Sequence, residues 1–492
     1  MRPATTSTMR KTRDMYPDAS PAVSPADPAE RLAVTFRGLR AGWLAATSAG
    51  LVFTYDPRWL RTSGAVPLSL TMPLRPEPYG DAVITPWIQN LLPEADVGQV
   101  FARALGLSVG DAYGILRAAG ADTAGAFSFD PPNGSAQDID QDHASENAQE
   151  NTLASGMAGG RYLPLRDYAT RHGAAPKDDG EALKFLLEGL AQRPFFADED
   201  GVRLSLAGGQ VKTALATLDE KGRPVHAASG AGVVYAIPLG AAASNLIVKP
   251  DNSRLLGIVE IEAYCLELAR RCGLDAVDWT ILEAGGRLAL AVPRYDRQIR
   301  TRRDGRVELV RIHQEDFCQL LGLPPLRKYE TATGGGARLA DLFAAARLHL
   351  GPKDQLRFLD CVIFNILVGN TDAHAKNYSV LIHPDQTVLA PLYDVNSVLA
   401  WKGINQNHAQ KIAGRTRKPV DTARRHWEAI AEEAGLNPRE VLRRVNALAT
   451  RIVHAAQDAR QPVIAAPGTT AKIVDDISER IDEHARRIQG RL

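Results

Sequence analysis

Cysteine is scarce in this chain: four residues in 492, at positions 265, 272, 318 and 361. No two form a C-x-x-C pair and no His/Cys group has zinc spacing, so neither a disulfide framework nor a structural zinc site is encoded. The four are expected as small apolar core residues of a protein kept reduced in the cytoplasm. Net charge is nearly absent: 58 Lys and Arg against 57 Asp and Glu leave +1. That balance excludes a chain that coats DNA or an anionic membrane by bulk attraction. No apolar run reaches the roughly 18 residues of a membrane helix. The best candidate, Cys361 to Gly369, is short and interrupted by Asn365. Residues 1–29 lack the apolar stretch of a secretory signal and read as a flexible polar tail. Two familiar phosphate-binding signatures, G-x-x-x-x-G-K-[ST] and G-x-G-x-x-G, are missing as well.

What is present is the balance of a globular protein, 45% hydrophobic and 23% charged, at a length that implies two or three packed units. Residues 30–130 alternate short strands (Arg31–Phe36, Leu51–Tyr55, Gly125–Phe129) with helices (Ile88–Leu92, Val97–Leu105, Gly110–Ala119). Residues 131–160 are rich in Asn, Gln, Asp, Ser and Glu and read as an acidic, disordered linker. Residues 161–297 are strand-rich around one helix, Leu256–Cys272, with Gly273 placed to cap it. Gly285-Gly286 between two apolar runs signals a hairpin. In residues 298–492 helices dominate (Gln314–Leu321, Leu339–His349, Lys353–Val368 and most of 421–489), interrupted by the strand pair Tyr378–Ile382 and Val388–Leu392. The expected class is α+β, a β-rich lobe followed by a helical lobe in the manner of protein kinases, preceded by a small α/β unit.

Asn370-Thr-Asp-Ala-His-Ala-Lys-Asn377 follows an apolar helix and precedes a strand. Phosphoryl transfer needs a carboxylate to orient the attacking hydroxyl and oxygen ligands to hold Mg²⁺ on the phosphates. Asp372, Asn377 and a strand-end Asp394 supply these groups in the kinase order. Asp and Asn are also ordinary loop residues, so the pattern gains weight only from what precedes it. Ser205-Leu-Ala-Gly-Gly-Gln-Val-Lys-Thr213 places two glycines at a strand junction, where backbone N–H groups can approach phosphates; alone it also reads as a plain hairpin turn. Lys249 ends the apolar run Asn245-Leu-Ile-Val-Lys, and Glu262 lies on the helix that follows. A Lys–Glu pair of this kind positions the α- and β-phosphates in kinases, although either residue alone also reads as solvent-facing.

Five segments together resemble the HipA family of toxin kinases: Arg203–Ala214, Val292–Arg297, Gln314–Leu323, Gly369–Asn377 and Pro391–Val395. Asn90-Leu-Leu-Pro-Glu and Gly120-Ala-Asp-Thr-Ala-Gly-Ala resemble that family's small N-terminal domain. The resemblance implies an ATP- and Mg²⁺-dependent serine/threonine protein kinase. Asp372 would be the base, with His374 orienting its loop by hydrogen bonding and Lys376 neutralising the transferred phosphoryl group. Asn377 and Asp394 would hold Mg²⁺. Gly208, Gly209, Gln210, Val211, Lys212 and Thr213 would cover the phosphates, Lys249 held by Glu262 would contact them, and Val292, Arg294 and Tyr295 would receive adenine. Ser205 matches an autophosphorylated serine, and a phosphate there, adding close to two negative charges, would act as an off-switch. Implied partners are a protein substrate such as an aminoacyl-tRNA synthetase and a helix-turn-helix antitoxin, with DNA reached only through the antitoxin and no membrane partner. The acidic 131–160 insertion, the extra tail and Val211, where relatives often carry an acidic residue, depart from the family pattern. Two other functions share the same polar set: a small-molecule phosphotransferase and a catalytically silent corepressor. The basic cluster Arg415, Arg417, Lys418, Arg424, Arg425 reads first as a solvated helix face and second as a DNA contact within such a complex.

Overall fold

The computed structural model describes residues 31–131, 161–197 and 199–492. The polar tail and nearly all of the acidic linker expected from composition lie outside the described residues.

Strands β1 (Arg31–Phe36), β2 (Leu39–Thr47), β3 (Gly50–Tyr55) and β4 (Phe127–Asp130) form an antiparallel sheet in the order β3-β2-β1-β4. Leu32, Val34 and Phe36 of β1 are buried, and Phe36 packs tilted on Trp59 and Phe127. β2 went unseen in the sequence because Ala-rich Leu39-Arg-Ala-Gly-Trp-Leu-Ala-Ala-Thr47 has weak strand propensity; pairing on both sides decides it. The expected helix at Ile88–Leu92 is displaced. The helix α1 (Asp81–Gln89) covers only its first two residues, and Asn90 begins a turn in which its amide donates to the Pro86 and Leu323 carbonyls at 2.8 Å each. Helices α2 (Ala95–Ala104) and α3 (Ala112–Ala119) complete this unit.

The second sheet holds β5 (Arg161–Pro164), β6 (Thr213–Leu218), β7 (Val234–Leu239), β8 (Leu246–Pro250), β9 (Thr280–Ala284) and β10 (Arg287–Pro293), ordered β5-β7-β6-β8-β10-β9. The β9–β10 hairpin turns on Gly285 and Gly286 at φ 63° and 79°, the paired positive angles of the tight turn that suits twisted strands. Helix α4 (Ile258–Arg271) is buried along nearly its whole length between this sheet and the C-terminal helices. Gly273 follows it at φ 80°, as expected of a helix stop.

Past Pro293 the chain is less uniformly helical than its composition implies. Arg-rich β11 (Arg297–Thr301) and β12 (Val307–Arg311) form an unanticipated hairpin. Residues 313–316, expected to open a helix, instead form β13 (His313–Asp316), which pairs with β14 (Ser379–Ile382), itself paired with β15 (Thr387–Leu389). The helix starts only at Phe317, because Asp316 and Gln319 exchange side-chain and backbone hydrogen bonds of 2.9 Å in a capping box. Helices α5 (Leu339–His349), α6 (Pro352–Leu367), α7 (Arg424–Ala434), α8 (Pro438–Ile464) and α9 (Ala471–Gln489) follow. Val441, Val445, Leu448, Ile452 and Ala459 of α8 bury one stripe against Val474, Ile477, Ile481, Ala485 and Ile488 of α9. Each large apolar side chain buried there contributes about 1.5–3 kcal/mol. The architecture is α+β: a β-rich lobe, a largely helical lobe and a small α/β unit before them. Among the described residues no helix is long and apolar enough to cross a membrane, and all four cysteines are free and buried. Arg424 of the basic cluster is spent on Glu428 at 2.9 Å, as on a solvated helix face.

Candidate active site

A cleft of about 660 Å³ lies where the β-rich lobe meets the helical lobe, a size ordinary for a small-molecule ligand. Lys249, at the end of β8, is pointed into it by the pairing of β8 with β10. Its ammonium donates to Glu262 Oε1 and to Asp394 Oδ1, both at 2.7 Å. The two carboxylates respond oppositely. Burial pushes Glu262 upward, because α4 seals it from water. Asp394 is half-buried between Lys249 and Lys212, and these cations hold it well below the usual carboxylate range despite its burial. Lys249 is stabilised as the cation by both partners against the cost of its own burial.

The 370–377 loop is braced from within. Asn370 donates to Asn365 Oδ1 at 2.8 Å, the Asp372 N–H donates to Asn370 Oδ1 at 3.1 Å, and the Asn377 amide donates to the Asp372 carbonyl at 2.8 Å. The Asp372 carboxylate is left open to the cleft and accepts a hydrogen bond from the Tyr329 hydroxyl. Enclosure by the cleft walls pushes Asp372 up to about 6; Asp394 adds to that rise and Tyr329 opposes it. This is the range of a working base at neutral pH.

Two expectations within this loop need correction. His374 is buried edge-on against Tyr329, ring centroids 5.0 Å apart, and its Nδ1 has no hydrogen-bond partner. It braces the loop by packing, and burial keeps it neutral by pushing its pKa well below the usual value. Lys376 is not free to meet a transferred phosphoryl group: its ammonium is spent on Asp316 Oδ2 at 2.7 Å, Asn90 Oδ1 at 2.8 Å and the Asn90 carbonyl at 3.0 Å.

The phosphate loop divides. Gly208, Gly209, Gln210 and Lys212 line the cleft. Gly208 sits at φ 105°, a conformation that other residues adopt only with strain. Lys212 makes no hydrogen bond; burial lowers it to about 8, with Asp394 opposing. A cation so enclosed and unbonded is a ready contact for a ligand anion. Val211 and Thr213 do not line the cleft, contrary to expectation. Val211 packs on the hydrophobic core, and Thr213 is buried in β6 opposite Val248, because strand alternation turns them away. Ser205 is fully buried and donates to the Leu91 carbonyl at 3.2 Å.

At the hinge, Val292 and Tyr295 line the cleft. Tyr295 lies 5.4 Å from Tyr393 in a tilted aromatic pair, a wall suited to a planar base, and donates to Gln314 at 2.6 Å. Arg294 lines the cleft too, with its guanidinium committed to Asp296, Ser244 and the Thr123 carbonyl, its N–H to Asn245 and its carbonyl to the Arg297 N–H, so it faces the cleft as part of the hinge's frame. Arg294, Arg297 and Arg311 converge on buried Asp122, with Arg297 at 2.8 Å and Arg311 at 3.2 Å, so the small N-terminal unit is bonded directly to the hinge.

Sequence reasoning missed five residues as parts of the site: Tyr329 on Asp372, Tyr393 opposite Tyr295, Asn396, and the turn residues Asn90 and Glu94. Asn396, two positions after Asp394, has a buried Oδ1 with no partner. The Asp-Val-Asn spacing was its available signal. Asp394, Asn396 and Asn377, whose amide nitrogen is already used, offer hard oxygen donors of the kind Mg²⁺ takes.

Comparison with known proteins gives the chain its place. The model of the HipA N-terminal domain matches residues 32–130 and that of the HipA-like C-terminal domain matches residues 204–456. A Sinorhizobium fredii protein carrying the kinase name Y4mE is 33% identical over 448 residues, 89% of this chain and 92% of the relative. The chain belongs to the HipA family. Within that family, a Shewanella oneidensis protein named serine/threonine-protein kinase toxin HipA is 28% identical over 379 residues, 75% of this chain and 74% of the relative. The solved structure of Shewanella oneidensis HipA, in a complex with HipB and operator DNA, superimposes with a TM-score of 0.72 over 93% of this chain and 97% of that one, at 24% identity. The HipA fold thus extends across the described residues, and the enzyme is a kinase.

Proposed function

We propose that this HipA-family protein is an ATP- and Mg²⁺-dependent serine/threonine protein kinase that acts as the toxin of a toxin–antitoxin module. The observation that carries the reading is the Lys249 bridge between Glu262 and Asp394, in the same cleft as the exposed carboxylate of Asp372. Asp394, Asn377 and Asn396 would hold Mg²⁺, whose contribution is to neutralise charge on the phosphates. Lys249 and Lys212 attract the phosphate anions, and Gly208 lets the backbone lie over them. The Tyr295–Tyr393 wall receives the base. Asp372 accepts the proton of an incoming Ser or Thr hydroxyl as its oxygen bonds to the γ-phosphorus and the bond to the leaving phosphate breaks.

The substrate class is a translation component such as an aminoacyl-tRNA synthetase, and the partner a helix-turn-helix antitoxin that links the kinase to DNA; the HipB and operator in the Shewanella complex support the latter. The reading places the family's N-terminal unit at residues 30–130, the β-rich lobe at 161–297 and the helical lobe at 298–492, working in the cytoplasm.

Ser205 phosphorylation is the proposed off-switch. The hydroxyl is sealed beneath Leu91, so a phosphate fits only after the loop leaves its seat. Brief induction followed by phosphopeptide mass spectrometry tests the whole. Phosphate gained on a cellular protein with wild type and not with Asp372→Asn supports it, and no gain in either overturns it. Intact mass after incubation with Mg-ATP tests the switch. Wild type should gain one phosphate that Ser205→Ala lacks; equal gain in both removes Ser205.

A further inference from the structure

The kinase lobes do not close their active site alone. The turn that follows α1 in the N-terminal unit reaches three catalytic segments at once. The Glu94 N–H donates to the Gly208 carbonyl at 3.0 Å, and Pro93 forms a parallel bridge with Gly208, so the phosphate loop is held at its tip. Glu94 Oε2 holds Lys328 at 2.7 Å, and its Oε1 lies 3.7 Å from Lys376 with no hydrogen bond of its own. Lys328 immediately precedes Tyr329, whose hydroxyl caps Asp372, and the Lys328 carbonyl accepts from the Ala375 N–H at 3.3 Å. Asn90 clamps Lys376 through both its side chain and its carbonyl. The two loops that must flank a triphosphate are therefore fixed relative to each other through residues some hundred positions upstream of the first of them.

We propose that the 90–94 turn belongs to the catalytic apparatus, with Asn90 and Glu94 as positioning residues that hold the phosphate loop, Lys328–Tyr329 and the 370–377 loop in one transfer-competent arrangement. The inference rests on the kinase reading. Its chemistry is ordinary: the carboxylate and amide groups are partly or wholly buried, their partners are cations, and charge-assisted hydrogen bonds of this kind are both strong and directional. The turn itself is built to be stiff. Asn90 is tied to Pro86 and Leu323, Pro93 restricts the backbone, and Ala95 adopts a left-handed φ of 51°. A stiff element that works through the loops it holds acts by geometry, so its loss should slow transfer more than it weakens nucleotide binding.

Glu94→Gln keeps the size of the side chain and the N–H to Gly208 and removes only the charge. The full-length protein is given γ-labelled Mg-ATP with a bacterial lysate, and the initial rate of label transfer to protein is read beside ATP affinity by calorimetry. Transfer should fall about tenfold or more, as misplacement of a reacting group does, while the ATP dissociation constant stays within about twofold. Glu94→Asp should restore part of the rate. Lys328→Met should reproduce the loss from the other side, and the double variant Glu94→Gln/Lys328→Met should lose no more than either single one, the mark of a shared contact. If Glu94→Gln does not fold, Lys328→Met carries the same expectation. Unchanged transfer in the single variants overturns the inference, and so does a loss explained wholly by weaker ATP binding. A wild-type protein that transfers no label overturns the kinase reading, and this inference with it.

Discussion

Replacing Lys249 by Met removes an ammonium of similar length from between two carboxylates. In the wild type Lys249 is 8% exposed and Glu262 1%, so water cannot take over the missing partner at Glu262. Breaking a buried ion pair from one side costs about 3–5 kcal/mol. The folded protein has one escape, which is to bind a proton at Glu262. Burial already pushes the Glu262 carboxyl upward, and loss of the Lys249 ammonium, the partner that opposes this rise, pushes it further in the same direction. The sign follows from linkage. A carboxyl whose folded pKa lies above its unfolded value destabilises the fold when ionised, so the deficit is present above the folded pKa and shrinks as pH falls toward the unfolded one. Urea unfolding of Lys249→Met should therefore show a larger deficit at pH 8 than at pH 5, measured against wild type at the same pH. A deficit under about 1 kcal/mol at pH 8, or one equal at both pH values, would show that Lys249 does not hold Glu262 in the folded protein.

Asp372→Asn should lower phosphoryl transfer by about 10²–10⁴ while leaving Mg-ATP affinity within about twofold by calorimetry. With Asp372 at about 6, wild-type kcat/KM should fall as pH drops below that value, because the protonated carboxyl cannot accept the hydroxyl proton; a kcat/KM flat from pH 8 to 5 would refute the assignment. Asp122→Asn leaves Arg294 and Arg297 with Asp296, takes away the carboxylate that Arg311 faces at 3.2 Å, and should cost about 3–5 kcal/mol in urea unfolding. In the wild type, Asp122 is held well below the usual carboxylate range by these guanidiniums, so its contribution is present above the unfolded value and is lost as pH falls through the folded one. Thiol titration with Ellman's reagent should find the four cysteines unreactive until denaturant is added, since burial pushes Cys272 and Cys361 up to about 12 and the other two higher still.

The parts of the fold legible in the sequence were those with one strong local signal. The β9–β10 hairpin announced itself by paired glycines and α5 by its apolar period. Of the strands that escaped notice, β13 owes its state to β14, which lies beyond helices α5 and α6, while β2, β11 and β12 pair with their neighbours in hairpins that Ala-rich and Arg-rich segments do not advertise. The site shows the same division. Asp372, Asn377, Asp394, Lys249 and Glu262, singled out because their residue types and order suit the chemistry, all line one cleft. Lys376 was misread because a basic side chain near a phosphate site gives no hint that Asn90 and Asp316 have already claimed it. Tyr329 lay hidden because its contact with Asp372 spans 43 positions.

Asp394 carries its side chain on a left-handed backbone, φ 57°, a state that Asn and Gly share at little cost and that branched residues resist by about 1–3 kcal/mol. The position thus lets form and chemistry part company. A drifting gene copy could exchange Asp394 for Asn or Gly, keep the path of the loop and every neighbouring strand, and lose only the anion. On the proposed metal-holding role of Asp394, folded but inert descendants of this scaffold would be one nucleotide change away, and a survey of such copies should find those two residues there far more often than valine or threonine.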